Sequence, residues 1–257
     1  MRSTSHSWLV TALVLGLVCV LAPSASAGLI DFNSLPRGTV IDTEYQVSDG
    51  VTFSAVNTGG GPHKLTLFDT NYDPSNRDPD LRYPWNGGNL NRDGLPAGQS
   101  QDVDLEKILI IAENGYDFCP ADGLIDQPDD EAGGGIITIA FDRDIAAFRL
   151  AEVDHDECTS HSHLKFYDDG SFIYGISIGS LSALDPTIAF GNRYANQLPW
   201  ITSADTGGNF DEVRIVVAGS RGYDNIEWRE TGSPIPEPAS TALLALGGLG
   251  LARRKRR

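Results

Sequence analysis

The chain has 257 residues, with 19 Lys and Arg against 35 Asp and Glu, and its formal net charge is −16. This surplus of negative charge would repel phosphate, so a nucleic-acid-binding role is excluded. Hydrophobic residues make up 40% of the chain, which is enough for a core and excludes wholesale disorder, while the 28 Gly and 14 Pro are typical of strands joined by turns.

Residues 1–27 have the features of a secretory signal peptide. The basic residue Arg2 is followed by an apolar run over residues 8–21, and the small residues Ala25, Ser26 and Ala27 form a cleavage triplet. We expect cleavage before Gly28. A retained membrane anchor is the alternative, which the short apolar run disfavours. The protein is therefore predicted to be exported.

Strand-like runs separated by turn residues fill residues 28–232, which we expect to form one domain. Phe172, Tyr174 and Ile176 alternate onto one face of a strand. Residues 108–112, and residues 136–139 apart from Thr138, are apolar, as in central strands covered on both faces. The pattern predicts an all-β fold, a two-sheet antiparallel sandwich of jelly-roll type between an N-terminal signal helix and a C-terminal hydrophobic helix. The predicted strands are residues 29–32, 51–56, 64–68, 105–112, 136–141, 146–153, 163–167, 172–178, 187–190, 212–217 and 223–228.

This domain is strongly acidic. Removal of both terminal segments leaves 13 Lys and Arg against 34 Asp and Glu, a net charge of −21. Such a surface is soluble, avoids anionic lipid and attracts divalent cations.

The stretch over residues 69–80 has the oxygen-rich side chains of a calcium loop. Asp69, Asn71 and Asp73 alternate along it, and Asp80 stands where an EF-hand places its closing carboxylate. Pro74 replaces the turn glycine of that motif, and no flanking helices are predicted. The alternative is a solvated acidic loop whose Asp and Asn residues initiate turns. The expected calcium ligands are Asp69, Asn71, Asp73, Asp78 and Asp80.

Aromatic residues in polar, turn-rich segments are candidates for ligand binding. They are Tyr72, Tyr83, Trp85 and Trp200. Exposed aromatic faces stack on sugar rings, so Tyr83, Trp85 and Trp200 in particular are candidates for a glycan-binding surface. The alternative is packing under long loops as small satellite clusters.

Cys119 and Cys158 are the cysteines that remain once the signal peptide, with Cys19, is removed. Export to an oxidising compartment favours a disulfide between them. Residues 154–163 also carry three of the five histidines, and imidazole and thiolate are good ligands for zinc or copper. Because the spacing matches no zinc motif, we expect the disulfide, with transition-metal binding as the alternative.

Residues 233–257 combine a stiff segment, an apolar stretch and a basic end. Pro236, Glu237 and Pro238 precede an apolar run over residues 239–252, and five consecutive basic residues follow it. A helix of that length falls short of the hydrocarbon core of about 30 Å, so it would hold a bilayer only loosely. A simple tail anchor is one interpretation.

The three parts in this order resemble the PEP-CTERM sorting signal of Gram-negative bacteria, with Pro236, Glu237 and Pro238 as its motif. The resemblance implies processing by an exosortase-type enzyme after transient anchoring in the inner membrane. It also implies delivery to the outer surface or the extracellular matrix, with membrane contact only through the C-terminal helix before processing.

Two parts of the domain resemble jelly-roll ectodomains that often carry this sorting signal, and also the β-sandwiches of carbohydrate-binding modules. Residues 31–39 and 50–54 resemble their opening strands, and residues 219–228 their closing strand. In such modules a structural calcium commonly ties the opening strand to the closing one. The resemblance therefore implies a metal role for Asp224, with Asp31 as its partner. The alternative is that both are hydrogen-bonded turn acids.

The sequence contains no nucleophile elbow, no His-Glu-x-x-His motif and no phosphate-binding loop, so we expect no enzymatic activity. The predicted function is that of an exported structural or adhesive protein, with Ca²⁺ as a structural ion and extracellular polysaccharide as the candidate ligand. The rival function is a secreted polysaccharide hydrolase or lyase, because 34 acids permit many carboxylate pairs.

Overall fold

The computed structural model of the protein describes residues 27–71, 78–90, 103–118, 122–155 and 161–232. Strands dominate this part of the chain, which confirms the prediction of an all-β fold. None of the helices described here is long and apolar enough to cross a membrane. They are α1 (Gln46–Asp49), α2 (Ser203–Thr206) and a 3-10 helix (Ile178–Ala183). The strands are β1 (Ala27–Ile30), β2 (Val40–Ile41), β3 (Val51–Asn57), β4 (Leu65–Asp69), β5 (Gly87–Gly88), β6 (Lys107–Ile111), β7 (Gly135–Val153), β8 (His163–Asp168), β9 (Ser171–Ser177), β10 (Tyr194–Gln197), β11 (Ile201–Thr202), β12 (Phe210–Val217) and β13 (Gly222–Glu230).

The 19-residue strand β7 pairs with neighbours along both of its edges. Its first half is hydrogen-bonded to β3 and β12, and its second half to β13, β10 and β11. The sequence predicts two strands here, because Asp142, Arg143 and Asp144 have the character of a turn. In the structure these residues are exposed but the strand continues through them, and Arg143 forms ion pairs with Asp142 at 2.5 Å and Glu230 at 2.7 Å. The two predicted strands are therefore one.

The strands described form one connected sheet, with the main order β2-β4-β6-β13-β7-β12-β8-β9. Strand β1 pairs with β13, while β3, β10 and β11 pair with β7. These neighbours are antiparallel, and the short strand β5 runs parallel to β10. The first half of β7 pairs with β3 and β12, and its second half pairs with β13. Strand β7 therefore joins these neighbours into one sheet. The jelly-roll arrangement stays a prediction.

Two hydrophobic clusters fill the fold on either side of β6. Leu109 and Ile111 belong to the larger cluster, which also contains Phe148, Phe166 and Phe210, among others. Ile108 and Ile110 belong to a smaller cluster with Phe68, Leu81 and Trp85. The continuous apolar run of β6 is thus explained by burial on both faces, as its sequence predicts.

A buried carboxylate connects the turn after β3 to the segment that leads into β7. Glu131 accepts hydrogen bonds from the Asn57 side chain at 2.8 Å and from the backbone N–H groups of Gly133 at 2.9 Å and Gly61 at 3.4 Å. Gly59 must be glycine here, because a Cβ would lie 1.8 Å from Oε1 of Glu131. Desolvation favours the neutral acid, but the three hydrogen bonds outweigh it and lower the pKa of Glu131.

We predict that Glu131→Gln lowers the free energy of unfolding by about 1 to 3 kcal/mol at pH 7, because its amide group would face N–H donors. A lowered pKa means that the stabilisation by Glu131 is present above the pKa of the unfolded state, about 4.3, and is lost as the pH falls through the folded-state value. Denaturant titrations from pH 7 to pH 3 should therefore show the two proteins converging. Glu113→Gln, in the neighbouring exposed loop, is the matched control and should change stability by less than about 0.5 kcal/mol. Equal stability of Glu131→Gln and the native protein at pH 7 would contradict this role.

Candidate functional site

Three aspartates from two distant segments of the chain meet beside the first residues of β13. Asp78, Asp129 and Asp130 each place a carboxylate oxygen within 4.8 Å of the others. This is the one group of three or more potential metal ligands found among the described residues. We refer to these three residues as the aspartate cluster.

Backbone pairing to the end of β6 fixes one side of the aspartate cluster. Asp130 forms an antiparallel bridge with Ala112, and the N–H of Glu131 donates to the carbonyl of Ile111 at 3.0 Å. The carbonyl of Asp129 accepts from Glu113 at 2.9 Å. The sequence 129–131 is therefore held in register before any ligand binds.

Asp78 is held in the aspartate cluster by two hydrogen bonds. Its Oδ1 accepts the N–H of Asp80 at 2.8 Å, and its Oδ2 accepts the hydroxyl of Ser220 at 3.3 Å. Ser220 lies in the turn that leads into β13. The aspartate cluster and Ser220 thus join three segments that are far apart in sequence.

Asp130 is the most deeply buried member, with only 6% of its surface exposed. Its Oδ2 accepts no hydrogen bond from any described residue. Desolvation, followed by the hydrogen bond and the negative charge of Asp78, raises the pKa of Asp130 well above its usual range. Such a carboxylate is either protonated or neutralised by a cation.

A network of buried polar side chains lies next to the aspartate cluster. Glu152 of β7 is the register partner of Tyr223 of β13, and its Oε2 lies 2.8 Å from Nδ1 of His155. Its Oε1 lies 3.9 Å from Nη1 of Arg221, which donates to the Ser162 hydroxyl. All five residues are buried. We refer to them as the buried network.

Arg221, a member of the buried network, also contacts the aspartate cluster. Its guanidinium group points to Ser162 and Glu152, while its backbone N–H is hydrogen-bonded to Asp130. Burial, followed by the charge of Glu152, raises the pKa of Tyr223, and the charge of Asp130 adds to this effect. The two groups are therefore electrostatically connected.

Among the described residues, Asp78 is the one expected calcium ligand of residues 69–80 that belongs to a group of possible metal ligands. Asp69 accepts the N–H of Asn71 at 2.9 Å, and the Asn71 side chain donates to Asp104 at 2.7 Å. Asp80 contributes its N–H to Asp78, and Asp73 lies outside the described residues. Asp78 instead joins Asp129 and Asp130. Calcium binding at the predicted loop stays a prediction.

Sequence reasoning did not assign Asp129 and Asp130 as ligands. Their signal is the acidic run 129–131 before three glycines, which is present in the sequence. Its partner, Asp78, is about 50 residues away in sequence, so only the pairing of β4, β6 and β13 brings them together.

The second predicted metal pair involves Asp224, which is buried on β13, and the exposed Asp31. Desolvation, with smaller contributions from the charges of Asp31 and Glu106, raises the pKa of Asp224, despite a hydrogen bond from the backbone of Asn225. Asp31 accepts the N–H of Asn33 at 3.2 Å, as a turn acid does. The two acids lie near each other, and a calcium between them stays a prediction.

The aromatic residues that were predicted to bind a glycan contact other residues of the protein. Trp85 is buried, and its indole N–H donates to Val103 at 2.9 Å, while Tyr83 packs against its ring edge. Two guanidinium groups lie over the Trp200 ring, that of Arg149 at 4.6 Å and that of Arg229 at 4.1 Å from the ring centroid.

An exposed aromatic pair occurs elsewhere, and the sequence analysis did not identify it. Tyr116 and Phe118 stack with ring centroids 5.1 Å apart and an interplanar angle of 19°. Tyr116 is 49% exposed and Phe118 is 65% exposed. Two aromatic residues separated by one acidic residue are the only sequence signal of this pair.

Several predicted residues lie outside the described part of the chain. They are Cys119 and Cys158 of the expected disulfide, Tyr72 and Asp73 of the expected loop, and the Pro236, Glu237 and Pro238 motif. The disulfide stays a prediction.

Comparison with known proteins identifies the C-terminal segment. Residues 234–257 match the model of the PEP-CTERM protein-sorting motif. This motif indicates an exported protein that is sorted at the membrane and processed by an exosortase-type enzyme. No curated protein matches the sequence.

A solved structure similar to this chain is the catalytic unit of a thermostable GH87 alpha-1,3-glucanase from Streptomyces thermodiastaticus. The two chains are 12% identical with a TM-score of 0.30, and the match covers 73% of this chain and 28% of that one. This chain thus spans less than a third of the length of that structure.

The buried network leads to a prediction about stability. Arg221→Met should lower the free energy of unfolding by about 3 to 5 kcal/mol, because it leaves the Glu152 carboxylate buried without its cation. Adding Glu152→Gln should recover part of this loss, and urea titrations of the single and double variants measure the coupling. The matched control is Arg149→Met, which breaks a partly exposed ion pair with Glu227 and should cost about 1 kcal/mol. An Arg221→Met loss no larger than that of Arg149→Met would argue against the network.

Proposed function

We propose that this chain, a PEP-CTERM protein, acts as a structural or adhesive component of the outer surface or extracellular matrix of a Gram-negative bacterium. In this proposal its β-domain, of jelly-roll type, is delivered outside the cell and binds neutral polysaccharide. The observation that carries the adhesive part is the exposed stacked pair of Tyr116 and Phe118.

The aromatic pair is held by the backbone around it. The N–H of Phe118 donates to the Asp126 carboxylate at 2.7 Å, and the carbonyl of Tyr116 accepts the N–H of Asp126 at 2.8 Å. The carboxylate of Asp117, the residue between Tyr116 and Phe118 in sequence, accepts the N–H groups of Asp122 at 3.2 Å and Gly123 at 3.0 Å. Because these bonds hold residues 116–118 in place in advance, a ligand would lose little affinity to the ordering of the two rings.

The chemistry of this surface favours a neutral sugar polymer. Two flat aromatic rings offer apolar faces for the C–H groups of pyranose rings, and the adjacent carboxylates of Asp117 and Asp126 retain lone pairs that can accept hydrogen bonds from hydroxyl groups. The net charge of −21 between the terminal segments repels anionic polymers.

The proposal includes no catalytic step. Asp130 and Asp224 have raised pKa values, and the Glu152 carboxylate lies next to a histidine. All three are buried, so they do not face a surface that a polysaccharide can reach, whereas Asp168 on β8, whose pKa is also raised, is exposed. The binding role is proposed over the hydrolase or lyase alternative because the exposed aromatic pair offers faces for sugar rings.

The delivery part of the proposal predicts that replacement of Pro236, Glu237 and Pro238 by alanine leaves the protein in the inner membrane. Pro234→Ala, just before the motif, is the matched control and should be delivered normally. Cell fractionation and surface labelling of the two variants measure the outcome. Normal surface delivery of the triple variant would refute an exosortase-type route.

The adhesive part predicts selective binding on a glycan array that carries neutral and anionic polysaccharides. Tyr116→Ala and Phe118→Ala should each weaken binding to a neutral polysaccharide by about tenfold, which corresponds to about 1.4 kcal/mol for each ring. Phe172→Ala removes a similarly exposed ring from β9 and should leave binding unchanged. Binding that survives loss of both loop rings, or a lack of binding to every neutral glycan, would contradict this proposal.

A further inference from the structure

The aspartate cluster has the dimensions of a divalent-cation site. Ca²⁺ binds oxygen ligands at about 2.3 to 2.6 Å, so two oxygens on opposite sides of one ion lie about 5 Å apart at most. Carboxylate oxygens of Asp78, Asp129 and Asp130 all lie within 4.8 Å of one another. One ion can therefore contact all three carboxylates without rearrangement of the backbone.

A second observation, independent of the acidic composition, points to a ligand. Asp130 is 94% buried, since 6% of its surface is exposed, and its Oδ2 accepts no hydrogen bond from the described residues. A buried carboxylate oxygen without a donor is costly to the folded state. A bound cation would satisfy this oxygen.

The adjacent arginine does not fill this role. The guanidinium group of Arg221 is directed inward to Ser162 and Glu152, and only its backbone N–H reaches Asp130. The guanidinium group of Arg221 is thus committed to the buried network.

We propose that Asp78, Asp129 and Asp130 bind one Ca²⁺ ion, with the hydroxyl of Ser220 at the edge of its coordination shell. The donors are all oxygen atoms, which are the ligands of hard cations rather than of zinc or copper. Ca²⁺ tolerates irregular geometry and a variable number of waters, whereas Mg²⁺ requires a near-ideal octahedron and retains its waters. A site assembled from three separate segments fits the first ion better.

The ion would hold together three segments that connect strands of the sheet. Asp78 belongs to the segment after β4, Asp129 and Asp130 precede β7, and Ser220 precedes β13. Binding would therefore raise the stability of the whole domain, independently of the aromatic pair that the adhesive proposal uses.

The test uses the exported, processed protein, purified and treated with chelator. Titration with CaCl₂ in a calorimeter gives the number of ions bound, and thermal unfolding with and without CaCl₂ gives their effect. At a hundred times its dissociation constant, Ca²⁺ should raise the melting temperature by about 5 to 10 °C. MgCl₂ should produce a clearly smaller shift.

Asp130→Asn should bind one Ca²⁺ fewer than the native protein and lose most of the melting shift. Asp129→Asn, at a less buried position, repeats the test if the first variant does not fold, as judged by circular dichroism. Asp69→Asn and Asp31→Asn are the matched controls, because they alter the two metal sites that the sequence predicts and should keep the full response. Unchanged Ca²⁺ binding in both cluster variants, a response lost in either control instead, or no Ca²⁺ binding by the native protein would overturn the proposal.

Discussion

The backbone pairing of β7 is the constraint on which the rest of the structure depends. This strand is bonded to β3 and then β13 along its length, and to β12, β11 and β10 through its other ladders. Because it lies in the interior of the sheet, its second half is buried almost continuously. Any polar side chain that it carries near its end must then find partners inside the protein.

Glu152 is the residue on which this constraint acts most strongly. Its position opposite Tyr223 fixes it next to the start of β13, so that His155 and Arg221 are the partners within reach. Arg221 in turn places its backbone against Asp130. The buried Glu152 therefore keeps the guanidinium group of Arg221 inside the protein, while the backbone N–H of Arg221 contacts Asp130 in the aspartate cluster.

The sequence predicted the elements whose signals are local. The uniform apolar run of β6 predicted a strand covered on both faces, and the strand predicted over residues 212–217 lies within β12. The continuity of β7 could not be predicted, because Asp142, Arg143 and Asp144 have the composition of a turn. The pairing of β7 on either side of these residues keeps the strand continuous.

The candidate site was less predictable, since it depends on contacts between distant segments. Asp78 was selected for its place in an oxygen-rich loop, but its neighbours in space come from residues 129–130. Trp85 and Trp200 were predicted to bind a ligand because their neighbours in sequence are polar. In the structure the indole N–H of Trp85 donates to a backbone carbonyl, and two guanidinium groups lie over the ring of Trp200. Spacing along the chain cannot reveal such pairings, because they follow from the order of strands in the sheet.

The central claim is that the aspartate cluster and Ser220, which belong to three separate segments, surround one Ca²⁺ ion beside the buried network. The most direct measurement is a crystal structure of the exported, processed protein grown in CaCl₂, with anomalous scattering recorded at a long wavelength where calcium contributes strongly. The claim predicts an anomalous peak among the carboxylates of Asp78, Asp129 and Asp130, at about 2.3 to 2.6 Å from their oxygens. A calcium peak between Asp31 and Asp224, or along residues 69–73, with none at the aspartate cluster, would contradict it.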